Sequence, residues 1–186
     1  WLDELDATLL YVAGNPIDSV RAYRAHAPGG FAYAQGRWQS GGLVLNAGLR
    51  AEYFTAGPQA EHQTLPGSAA GRLSLLPRLG LAHPLSARDV FSMSYTRSSQ
   101  TPARDLLYDR RLAITNRQPL GNPALRPARL ISYEAALKHL FGPAWALQTS
   151  FFYRDAAYIA GARYYRTPGG PVDLRYTDED QASSAG

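Results

Sequence analysis

The residues best suited to chemistry lie close together. Arg104, Asp105, Tyr108, Asp109, Arg110 and Arg111 place guanidiniums, carboxylates and a phenol in one short stretch. The plain reading is a solvated loop tied by weak surface ion pairs. The functional reading is ligand contact, because recognition tends to sit on loops held by a rigid scaffold. Other candidates are scattered. His26, His62, His83 and His139 stand apart, without the spacing of a zinc site. His139 falls on an apolar strand face near a turn and reads as an interfacial residue. Glu61-His62 reads as a solvated loop pair rather than a contact to a ligand's metal. Cysteine is absent, which removes disulfides and thiolate metal sites. No nucleophile has a partnered base, and no carboxylate dyad is evident. Pro28-Gly29-Gly30 and Pro168-Gly169-Gly170 are turns, not phosphate cradles. The expectation is no cofactor, no metal site and no enzymatic activity.

The elements that must hold the charged stretch read as strands. Twelve tyrosines, three tryptophans and 17 glycines in 186 residues favour strands and tight turns over helices. The net charge of +4 rests almost wholly on arginine, but Arg110-Arg111 is the longest basic run. Nucleic acid is therefore not an expected partner. No stretch of about 18 apolar residues is present, which excludes a transmembrane helix. It leaves open a membrane barrel, whose strands need only about 9–11 alternating residues. No secretion leader is visible, and the chain begins at Trp1.

Period-two alternation predicts strands over 31–39, 43–54, 73–83, 90–97, 130–140 and 145–154. The second is the clearest: Leu43, Leu45, Ala47, Leu49, Ala51 and Tyr53 alternate with Asn46, Gly48, Arg50 and Glu52. Pro77 is a liability for the third. Residues 1–16 are weakly patterned, and 17–24 and 158–166 read as further extended pieces. Thr101-Pro102 can start a short helix through Tyr108. The tail from Asp178 to Gly186 is polar and reads as loose.

The connections alternate in length. Short turns fall at 39–42, 84–87 and 141–144, and long ones at 55–72 and 98–129. Antiparallel hairpins then put every short turn at one end and every long loop at the other, as in outer-membrane barrels. Trp38, Phe91, Phe141 and Trp145 lie near the short turns. Tyr53, Phe54, Tyr95, Tyr133 and Tyr153 lie toward the long loops. Two aromatic girdles around an aliphatic band are what the edges of a bilayer select. Arg50, Glu52, Arg78, Glu134 and Lys138 fall on the opposite face, which suits a barrel lumen. They also suit an ordinary solvated sheet.

Three segments carry a resemblance. Tyr33 to Trp38 with Leu43 to Phe54 forms a strand pair ending in Gly-Leu-Arg and an aromatic pair. Pro77 to Ala82 with Val90 to Tyr95 is the next hairpin. Gly121-Asn122-Pro123-Ala124-Leu125-Arg126-Pro127 then runs through Ile131-Ser132-Tyr133-Glu134 to Lys138. In this order and spacing they closely resemble the barrel of TonB-dependent outer-membrane receptors, over about residues 30–155. Ala128 departs from the family, where an acidic residue often follows the proline. So does Gln35-Gly36-Arg37, where an acidic residue commonly follows the glutamine.

The resemblance implies an all-β antiparallel meander of about six to eight strands, residues 1–186 being part of a transmembrane barrel of about 22 strands. It implies a plug domain lying outside this stretch and, through the plug, TonB. It also implies outer-membrane lipid as surroundings and a scarce external nutrient as ligand: a siderophore, a vitamin or an oligomer. The segment would supply barrel wall and outer loops. Two other readings remain open on alternation alone. One is a small complete outer-membrane barrel with a structural or adhesive role. The other is a soluble β-sandwich that binds carbohydrate.

Overall fold

The structure is a computed structural model, which describes residues 2–12, 15–25, 27–57, 70–108, 121–166 and 172–186. The first two strands, β1 (Leu2–Val12) and β2 (Asn15–Ala25), form an antiparallel hairpin of their own. The remaining strands are β3 (Gly29–Ser40), β4 (Leu43–Phe54), β5 (Arg72–Pro84), β6 (Asp89–Gln100), β7 (Ala128–Leu140), β8 (Ala146–Arg166) and β9 (Val172–Ala185). They make one seven-stranded sheet in chain order, each strand antiparallel to the next. One short helix, α1 (Arg104–Tyr108), sits in the connection between β6 and β7. Among the described residues, no helix is long and apolar enough to cross a membrane.

The expected strands from Phe31 to Arg154 are all present. Three expectations need correction. Residues 1–16 are weakly patterned and give no strand expectation, yet 2–12 form β1. The tail is not loose, since 172–185 is a strand bonded to β8. Strand pairing is made by the backbone, so a polar strand can form wherever a neighbour offers an open edge. Finally, 145–154 and 158–166 are one strand of 21 residues. Register shifts lie between Ala157 and Gly161, and Tyr158 takes φ 62°, rare for a residue with a Cβ. That bulge breaks the alternation that sequence periodicity relies on.

Pro77 is tolerated for a positional reason. The β5–β6 ladder runs from Pro84↔Val90 to Arg78↔Thr96 and ends there. Pro77 is the next residue: it stays opposite Leu49 in the β4–β5 ladder, while on the β6 side no N–H is asked of it.

The register fixes two faces. Leu45↔Leu81↔Met93↔Ala135↔Phe151 is one continuous row across five strands. Tyr95↔Tyr133↔Tyr153 is another row on the same face. Its ring centroids are 5.1 and 6.4 Å apart. These side chains are largely exposed, so among the described residues the sheet keeps no core beneath its apolar face. The buried cluster lies instead at the end with the long connections. It consists of Ala56, Leu107, Tyr108 and Leu125, with Phe54 and Tyr176 packed on it. Phe54 is opposite Arg72 and Gly29 in register, on the polar face, and so leaves the expected outer girdle for this cluster.

Candidate functional site

The long-connection end is organised by the Asn-Pro loop, Gly121 to Pro127. Prolines at 123 and 127 limit its φ angles and remove two donors, which favours a fixed, non-ladder path. The Asn122 side chain accepts from Ala124 N at 2.9 Å and donates to Tyr176 O at 2.9 Å. Its backbone N–H donates to Leu106 O at 2.7 Å. One asparagine thus joins the loop, α1 and β9. Leu125, 1 % exposed, fills the space between Leu107 and Tyr108.

Arg126 closes the junction. Its Nε donates to Asp178 Oδ2 at 2.6 Å, its backbone N–H to the same oxygen at 2.9 Å, and its guanidinium lies 3.8 Å over the Tyr158 ring. β8 continues well past Ala157, the last of its residues paired with β7, and this junction lies on that overhang. Burial pushes the Asp178 carboxyl up. The Arg126 hydrogen bonds and charge outweigh it and hold the carboxyl below its usual range. A carboxyl depressed in the folded state stabilises above its unfolded pKa, and that contribution is lost as pH falls through the folded value. Hydrogen-exchange protection of residues 121–127 is therefore expected to hold at neutral pH and to fall only below pH about 4, the ordinary carboxylate range. Asp178→Asn should lower protection at pH 7 and abolish the acid step. An unchanged acid step in that variant would assign it to another group.

The candidate ligand contacts separate. Arg104 and Asp105 are exposed on α1. Tyr108 is 1 % exposed, and its hydroxyl donates to Ala56 O at 2.9 Å. Burial raises its phenol pKa, keeping it a proton donor. Tyr108 is thus a packing residue whose side chain offers no open surface to a ligand. Asp109, Arg110 and Arg111 lie outside the described residues, as do Glu61, His62 and His26. His139 Nδ1 lies 2.6 Å from Asp89 Oδ1 beside the short turn, with its ring edge-on to Phe141 at 4.4 Å.

Arg50, Glu52, Arg78, Glu134 and Lys138 share one face, linked through Gly48↔Arg78↔Thr96 and Ser94↔Glu134. Arg50 Nε donates to Glu52 Oε1 at 2.6 Å and lies 3.8 Å over the Phe31 ring. Among the described residues, no group of His, Asp or Glu side chains converges as a metal site.

Sequence reasoning missed a second arrangement. Arg72, Arg97, Arg126 and Arg129 line one cavity of about 310 Å³ with Ser74, Ser99 and Tyr158. The available signal was position: each arginine stands at or near the junction of a strand with a long connection.

Residues 4–186 match the family described as TonB dependent receptor-like, beta-barrel. Four solved chains match in structure. One is the FrpB iron transporter from Neisseria meningitidis (F3-3 variant), with a TM-score of 0.59 and 15 % identity. The match covers 90 % of this chain and 22 % of that one, so this chain spans under a quarter of the transporter's length. No curated protein matches.

Proposed function

The chain belongs to the TonB-dependent receptor β-barrel family, and from that premise we propose that it forms barrel wall and outer loops of a receptor for active nutrient uptake across the bacterial outer membrane. The observation that carries this is the coincidence of two polarities. Across the sheet, an apolar exposed face opposes a face bearing Arg50, Glu52, Arg78, Glu134 and Lys138. Along the strands, the short turns at 41–42, 85–88 and 141–145 oppose long connections tied into a buried hub. A barrel in lipid asks for both.

In this reading the apolar face meets lipid, and the polar face lines the lumen against the receptor's plug. The outer connections meet the ligand, with Arg104 and Asp105 exposed to it and residues 109–111 following in the same connection. Coupling to TonB lies with the plug, not with these strands. The ligand is a scarce nutrient of the siderophore, vitamin or oligomer kind.

Full-length receptor carrying this segment is expected to partition with outer membranes and to cross-link to TonB. Recovery of the full-length protein as a detergent-free soluble monomer would sink the proposal and favour the sandwich reading.

A further inference from the structure

We infer that the cavity among the outer ends of β5, β6 and β7 binds a small oxyanionic ligand, one bearing carboxylate or phosphate groups. The inference rests on the receptor reading and narrows its ligand class.

Charge is the first ground. Arg72, Arg97, Arg126 and Arg129 line the cavity, and among the described residues no carboxylate does. Asp178 offsets one of the four through Arg126. Glu52 comes near through Ser99, whose hydroxyl donates to Glu52 Oε2 at 2.7 Å. Its other oxygen already accepts from Arg50. The remaining positive charge faces the cavity.

Unmet hydrogen bonding is the second ground. Arg97 and Arg129 each bury their Nε without an acceptor among the described residues. Buried donors are nearly always paired, because an unmet one forfeits its water without replacement. The Nε atoms themselves are closed off, so the donors a ligand oxygen can meet are the terminal nitrogens of the same two guanidiniums, which are not buried in this way. Arg72 uses one terminal nitrogen on Ala124 O at 2.8 Å, which steadies its side chain while leaving other donors.

Geometry is the third. The Tyr158 ring sits in the β8 bulge with Arg126 at 3.8 Å and Arg129 at 5.3 Å from its centroid. Stacking holds guanidinium planes, and planar forks match the paired oxygens of carboxylate and phosphate. A volume of about 310 Å³ suits a small molecule or the charged end of a larger one.

The test is equilibrium binding to purified full-length receptor in detergent, with citrate and pyrophosphate as probes and sucrose as the uncharged control. The parent is expected to bind at least one anion and not sucrose. Arg97→Gln and Arg129→Gln should each weaken that binding at least about tenfold. Arg97→Lys, which keeps charge but loses the fork, should fall between. Arg37→Gln, beside a short turn at the other end, should leave binding unchanged. A parent that binds neither anion, whether the receptor's own plug fills the cavity or nothing does, overturns the inference. So does equal affinity in the parent and both glutamine variants. Such a failure with outer-membrane partitioning intact removes the anion site alone. Loss of partitioning removes the receptor reading, and binding by the purified protein is judged separately.

Discussion

Leu137→Arg is expected to destabilise the folded full-length receptor in lipid vesicles by about 2–4 kcal/mol, read from denaturant unfolding. Leu137 stands midway between Tyr133 and Phe141 in sequence and is 45 % exposed on the apolar face. If that face meets hydrocarbon, a guanidinium there loses its water with nothing to replace it. The same charge nearer the short turns can reach headgroups, so Leu147→Arg should cost only about 0–1 kcal/mol. Leu147 is on the same face, opposite His139. Gln148→Glu puts a charge on the polar face opposite Lys138 and should stay within about 0.5 kcal/mol. The gradient between Leu137 and Leu147 is the lipid signature. Equal losses at both positions would reject a bilayer against this face.

Leu125→Ala should destabilise the outer hub by about 2–5 kcal/mol, the range for emptying a buried leucine site. Leu125 is 1 % exposed and packs with Leu107, Tyr108 and Ala56, which come from two different connections. Among the described residues this is the buried cluster that joins the two connections, so the loss falls on them rather than on the sheet. Hydrogen exchange is expected to speed up across residues 104–108 and 121–127 and to change little in β5 to β7. Leu85→Ala, at an exposed short turn, should do almost nothing. Unchanged exchange in the hub after Leu125→Ala would mean that the prolines and Asn122 hold the loop unaided.

The two variants probe opposite ends of what could be read from sequence. β4, β5 and β7 were legible because alternation is a local property: a strand half in one medium and half in another must change polarity at each residue. The short turns were legible for the same local reason, as at Gly41 and Gly42, whose φ values of 57° and 83° few other residues adopt. The family resemblance added an expectation of which media those are; the match over residues 4–186 bears out the family itself.

Polar β9 carried no such signal, because its pairing depends on the edge of β8 rather than on its own side chains. The mouth of the sheet was equally hidden. Tyr108 finds Ala56, and Arg126 finds Asp178, each across 52 residues. No window along the chain contains both partners. Tyr108 thus read as a ligand contact beside Arg104 and Asp105, and four arginines spread from position 72 to 129 did not read as a group. Sequence alone determined the order of the strands from β3 to β8, the polarity of the two faces and the end at which the loops gather, since each follows from local pattern. Tertiary structure alone decided which loop residues pack and which arginines converge, since both depend on where distant strand ends meet.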